Sequence, residues 1–294
     1  MKYGIIIVPS AWLFLDDFSE HSDEVLMGWA VRVTSEQKTV NGCEYVKVIT
    51  HYGYDGFIRK DAIRAISLEE LKQRDEEGIL YAVTRPFADL LSEPRVEAQI
   101  LLTVSRGSFV HLICEAKDGY WVAETADGTK GYLPRAAVSE RLDGDGYLYT
   151  DDPDRWFLNQ QLPQGTGEEQ FRELVVKQAK QYLGTQYRWA GKTPAGIDCS
   201  GLTFMSYQMN GILIYRDANI RAEYPIRRIA LEKMKKGDLM IFKGHVAMYI
   251  GDGRYIHCTG HKDSFGCVIN SLKEEDPDYR EDLAKGILAV GSLF

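Results

Sequence analysis

The chain's 294 residues carry 43 acidic and 35 basic side chains, a formal net charge of −8, and 45% of the residues are hydrophobic. That acidity argues against nucleic acid or an anionic membrane as the main partner, the length predicts two or three folded units, and no apolar run is long enough to span a bilayer. Five cysteines (Cys43, Cys114, Cys199, Cys258, Cys267) are scattered and never spaced Cys-x-x-Cys, which speaks against a disulfide framework and for a reducing, cytoplasmic compartment.

The apolar start, Met1 to Leu15, is interrupted by Pro9, lacks a small-x-small cleavage site and is followed by Asp16 and Asp17. It predicts a first strand and a loop rather than a signal peptide. Two later segments match each other. Tyr45-Val-Lys-Val-Ile, then Gly56-Phe-Ile-Arg-Lys-Asp-Ala-Ile63, parallels Trp121-Val-Ala-Glu, then Gly131-Tyr-Leu-Pro-Arg-Ala-Ala-Val138. Short alternating strands at this spacing predict two small β-barrels, over residues 1–66 and 79–141. The pattern resembles the bacterial SH3-like (SH3b) domain. Between them, Ser67 as a cap and Gly78 as a stop bracket a connector helix over 67–78. Residues 142–167, rich in Gly, Asp, Pro and Gln, read as an extended linker.

Periodicity returns at Glu168, where Phe171, Leu174, Val175, Gln178, Ala179 and Tyr182 form one stripe of a helix reaching Leu183. A second helix, from Ser200 to about Met209, should bury Leu202, Met205, Ser206 and Met209. Strands follow around Leu239–Phe242, His245–Ile250, Arg254–Cys258 and Val268–Asn270. Helices first and an antiparallel sheet second is an α+β pattern, and a nucleophile-bearing helix on such a sheet is the papain-like arrangement. The C-terminal domain is therefore placed over 168–294.

Chemistry concentrates in this last domain. Asp198 can cap the second helix, placing Cys199 in its first turn, where free amides favour a thiolate and can hold an oxyanion. His245 and His257 flank Gly251-Asp-Gly253. A three-residue loop there puts Ala247 opposite His257 and both histidines on one face, whereas a two-residue Asp-Gly turn would separate them. His245 is then the general base for Cys199, and His257 orients it. A metal reading of His257, Cys258 and His261 lacks a second ligand pair with zinc-like spacing, so no cofactor is expected.

The runs Gln186–Leu202, Lys236–Phe242 and His245–Gly253, with His257, resemble the NlpC-type cell-wall cysteine peptidases over residues 168–294. The resemblance implies cleavage beside D-glutamate in peptidoglycan stem peptides by Cys199, His245 and His257, with Tyr187 near the oxyanion beside the Cys199 amide. Tandem SH3-like domains ahead of it look like the γ-D-glutamyl-L-diamino acid endopeptidases. That subgroup cuts muropeptides with a free N-terminal L-alanine and releases L-Ala-D-Glu. It implies that Asp217 binds the substrate amine, with Ser200 and Asp198 beside it and Tyr54 or Tyr52 reaching the amine end. An exported hydrolase acting on intact wall is the alternative.

Overall fold

The computed structural model describes residues 2–76 and 80–294, so the expected helix stop at Gly78 and the barrel start at Ile79 lie outside the described residues. The chain divides into two compact units, Met1–Asp151 and Asp152–Phe294.

The first unit holds two seven-stranded antiparallel sheets. One comprises β1 (Lys2–Ile6), β2 (Ser10–Phe14), β3 (His21–Leu26), β4 (Ala30–Val40), β5 (Cys43–Thr50), β6 (Asp55–Arg59) and β7 (Ile63–Ile66). The other comprises β8 (Leu80–Val83), β9 (Phe87–Leu91), β10 (Ile100–Ser105), β11 (Phe109–Glu115), β12 (Tyr120–Glu124), β13 (Lys130–Pro134) and β14 (Val138–Glu140). Their strand orders, β3-β2-β6-β5-β4-β1-β7 and β10-β9-β13-β12-β11-β8-β14, superpose element for element. Even an irregularity recurs: the β2–β3 ladder steps over Ser22 after Leu13, and the β9–β10 ladder steps over Leu101 at Leu90. The two hairpin turns match as well, with Thr50 N bonded to Tyr54 O in one copy and Thr125 N to Thr129 O in the other. These sheets are compatible with SH3-like domains. The repeat is wider than its sequence trace, because Ser10–Phe14 is a paired strand where a loop was expected.

Helix α1 (Leu68–Glu76) starts where Ser67 Oγ accepts from the Glu70 amide, 3.0 Å, but it is more than a surface connector. Its Arg74 is buried and paired to Asp145 at 2.7 Å. Asp145 belongs to the stretch expected to be an extended linker. Instead Asp143, Asp145, Tyr147 and Leu148 are buried, Tyr3 Oη donates to Leu148 O, and a short helix, α2 (Pro153–Leu158), follows. Composition missed this because the apolar anchors are few and aperiodic. Ion pairs of Asp145 and Arg141 tie the polar residues of this stretch to α1.

In the second unit, α3 (Glu168–Lys180) buries Phe171, Val175 and Ala179 as expected, and also Arg172, which donates to Asp238 Oδ1 at 2.7 Å. A two-stranded ribbon, β15 (Lys192–Thr193) and β16 (Gly196–Ile197), leads into α4 (Cys199–Gln208). All ten residues of α4 are buried, so the expected one-sided stripe gives way to a helix enclosed on every side. It packs on α3 and on the sheet formed by β17 (Arg227–Ile229), β18 (Leu239–Phe242), β19 (His245–Gly251), β20 (Arg254–Thr259), β21 (Gly266–Ser271) and β22 (Ala289–Ser292). The sheet order is β17-β22-β18-β19-β20-β21. A short helix, α5 (Glu281–Ala284), lies between β21 and β22.

Candidate active site

Helix α4 begins at the nucleophile candidate. Asp198 caps it by accepting from the Gly201 amide, and Cys199 is its first residue. Gly201 is required at this turn, since a Cβ there would collide with the Gly191 carbonyl oxygen. Asp198 is also the counter-ion of Arg216, whose two terminal nitrogens reach its two oxygens at 3.1 and 3.0 Å. Arg216 further donates to Ser200 Oγ at 2.7 Å, and Ser200 donates to Asp198 at 3.2 Å. Asp198 and Ser200, expected beside the substrate amine, are thus tied to a buried arginine.

The histidine hairpin reaches the expected register by a different route. Asp252 and Gly253 both have positive φ, 54° and 76°, as a two-residue type I′ turn demands, and Gly251 pairs with Arg254. Such a turn alone would place the histidines on opposite faces. A bulge between Tyr249 and Gly251 inserts one residue and restores the parity, so that Tyr249 faces Tyr255 and Met248 faces Ile256. His245 and His257 are then diagonal neighbours, with Nε2 of His245 2.8 Å from Nδ1 of His257.

One strand further, β21 places Asn270 opposite Tyr255 and so diagonal to His257. Its Oδ1 lies 2.9 Å from His257 Nε2. This third member has no assigned role in the sequence reading, because the loop of residues 260–265 leaves the β20–β21 register undetermined. His257 is fully buried.

Helix α4 packs on β19, and the Val246 backbone, one residue beyond His245, is among the groups that act on the Cys199 thiol. Burial, and then the Asp198 carboxylate, push the thiol up to about 11, while the Val246 amide, Arg216 and the Ser200 amide pull the other way. Desolvation of a buried anion thus works against the helix-terminal donors. Burial likewise holds His245 down to about 3, with His257 and Arg280 adding to the effect, and His257 down to about 4. Burial thus disfavours the charged form of the thiol and of both imidazoles.

Tyr187 pairs with Ile197, and burial raises its phenol well above the usual range, with the Cys199 thiol as the next contributor. It belongs to the same cluster. Half-buried Asp217 accepts from Tyr215 Oη at 3.2 Å and lines a small cavity together with Thr203, Tyr224 and Val246. Tyr52 and Tyr54 lie on the β5–β6 turn of the first unit, where the buried Tyr52 hydroxyl donates to Asp23 at 2.5 Å. Among the described residues, no group of three or more His, Cys, Asp or Glu side chains could hold a metal ion. Nor is any described helix long and apolar enough to cross a membrane.

Residues 184–277 match the NlpC/P60 family. The chain is 35% identical to dipeptidyl-peptidase 6 of Lysinibacillus sphaericus over 99% of both chains. It is 29% identical to a γ-D-glutamyl-L-lysine dipeptidyl-peptidase of Bacillus cereus over 92% of this chain and 76% of that one. Among solved structures, an NlpC/P60 family protein from Bacillus cereus shares the fold, with a TM-score of 0.70, 22% identity and 98% of each chain covered. The chain belongs to the NlpC/P60 family. It is a cysteine peptidase, and the papain-like arrangement of its second unit follows. Arg216 and Asn270 are the two site residues that spacing alone did not single out. Arg216 stands in Tyr-Arg-Asp, beside the Asp217 that was read, and its buried pairing with Asp198 is set by tertiary contact.

Proposed function

We propose that the chain hydrolyses the γ-D-glutamyl-L-diamino acid bond of peptidoglycan stem peptides bearing a free N-terminal L-alanine, releasing L-Ala-D-Glu. The observation that carries this is the His245–His257 contact of 2.8 Å, with His245 on the strand against which the Cys199 helix packs. In this reading His245 takes the thiol proton as the sulfur attacks the γ-carbonyl, so that charge is created only when substrate is in place. The oxyanion that forms is held by the Cys199 amide at the helix N-terminus and by Tyr187. His245 returns the proton to the departing α-amine of the diamino acid. Water, deprotonated by the same imidazole, then cleaves the thioester.

Substrate choice rests on the small cavity that Asp217 lines. An ammonium enclosed there needs acceptors, since stranding a charge is costly. Asp217 supplies a carboxylate, and Ser200 supplies the lone pair that Arg216 and Asp198 leave unused. The names of the relatives, a dipeptidyl-peptidase and a γ-D-glutamyl-L-lysine dipeptidyl-peptidase, favour a two-residue product. Recycling of detached muropeptides in the cytoplasm fits the five free cysteines. The test compares L-Ala-γ-D-Glu-L-Lys, its meso-diaminopimelate analogue and intact sacculus by product mass. Release of L-Ala-D-Glu from the free peptides alone is expected; release from sacculus but not from free peptides would favour a wall hydrolase instead.

A further inference from the structure

We propose that Asn270 is a positioning residue that fixes the tautomers of both histidines and so assigns Nδ1 of His245 as the base; the inference rests on the peptidase reading above. The chain of reasoning begins at the far end. Asn270 Nδ2 donates to the backbone carbonyl of Asp278 at 2.6 Å, and a carbonyl can only accept. The side-chain amide therefore cannot be flipped, and the atom 2.9 Å from His257 Nε2 is its oxygen. Since that oxygen can only accept, His257 Nε2 carries the proton. The neutral His257 ring then presents a bare Nδ1, which must accept from Nε2–H of His245 across 2.8 Å. His245 is left with its Nδ1 lone pair unused in the relay. Each step follows from donor and acceptor count, so one amide orientation sets two rings.

The anchor is itself built into the fold. The Asp278 and Asp276 carboxylates are both bonded by Arg254 on β20, Ser271 Oγ donates to Asp276 at 2.6 Å, and Ser271 bridges to Tyr279. The segment after β21 is thereby pinned to β20 and β21, and presents the Asp278 carbonyl to Asn270. Arg280, paired with Asp282, and Asp282 itself are the charged groups acting on both rings through space, and the Tyr255 ring packs against His257 at 5.3 Å. Cys199 and the phenols of Tyr255 and Tyr187 are the other titratable groups of the cluster. The hydrogen-bonded relay contains no carboxylate, so an asparagine's dipole alone must select the tautomer.

The direct test is nitrogen-15 NMR of the histidine-labelled full-length protein at neutral pH, which needs no substrate. Both rings should show a protonated Nε2 and a bare Nδ1; a proton on His257 Nδ1 would overturn the assignment. In kinetics, Asn270→Leu should lower kcat roughly 100-fold with KM little changed. The isosteric Asn270→Asp should retain more activity, and its added carboxylate should move the acid limb of kcat/KM to higher pH. An acid limb left in place by Asn270→Asp would reduce Asn270 to a packing role, and that variant carries the kinetic test if the leucine variant does not fold. Wild-type protein inert on every muropeptide would sink the proposed activity while leaving the tautomer measurement intact.

Discussion

Two buried polar networks hold this chain together, and they use opposite electrostatics. In the first unit, Arg74 and Arg141 face Asp75 and Asp145 at 2.6 to 3.4 Å, with Tyr149 donating to Asp75. Every charge there has a counter-charge, and the network joins α1 to the stretch after β14. In the second unit, His245, His257 and Asn270 are joined at 2.8 and 2.9 Å by neutral groups only. A compensated network has nothing to gain by exchanging protons, so it fixes geometry. An uncompensated one resists charge at rest, and it is ready to accept a proton once a substrate supplies the anion. The difference also appears beside the nucleophile, where the Asp198–Arg216 pair positions the α4 N-terminus while the imidazoles handle the proton.

Substitutions should separate these roles. Cys199→Ala should lower kcat on the order of 10⁵-fold, with thermal midpoint unchanged; measurable turnover near the wild-type rate would dissolve the distinction. Arg74→Met leaves Asp145 buried without one of its two partners and should cost about 3–5 kcal/mol of stability in denaturant unfolding, while kcat per folded molecule is unaltered. Asp217→Asn should lower kcat/KM for free-amine substrates by about 2–5 kcal/mol of transition-state binding, and should have little effect on N-acetylated ones. Equal losses on both would remove the ammonium contact.

The histidines give a pH signature that the ion pairs do not. Their folded values, about 3 and about 4, lie below the ordinary 6.5. Between those limits the unfolded chain binds protons that the folded one refuses, so their contribution is fully present above pH 6.5 and is lost as pH falls toward 4 and 3. Unfolding free energy should fall over that window with a slope approaching about two protons. His257→Gln should reduce the slope by roughly one proton. The smallest effect is expected at the exposed Arg59–Asp61 pair, where Arg59→Ala should leave the thermal midpoint and kcat alone.

Much of this was legible in the sequence, and the failures have physical causes. The duplicated sheets showed through Gly56 and Gly131, which repeat because each lies at a crowded strand position where a Cβ would strike a side chain or carbonyl of the neighbouring strand. The strand pair β2–β3 did not show, because Pro9 and the Asp16-Asp17 step read as loop signals, although the two strands are neighbours in the chain. The histidine register was right for an incomplete reason: parity comes from a bulge at the Tyr249–Gly251 step, and a bulge leaves no signature in residue alternation. The desolvation that acts on Cys199 was not legible, because helix position can be read from spacing and burial cannot. Asn270 required the β20–β21 register and the Asp278 carbonyl, both set by tertiary structure.

The central claim is that the Cys199 sulfur carries the acyl group. Rapid acid quench of the enzyme during turnover of L-Ala-γ-D-Glu-L-Lys, followed by peptide mass mapping, measures this directly. The predicted result is an L-Ala-D-Glu thioester on the peptide containing Cys199 and on no other cysteine. Turnover without any such adduct, together with undiminished hydrolysis by Cys199→Ala, would contradict it.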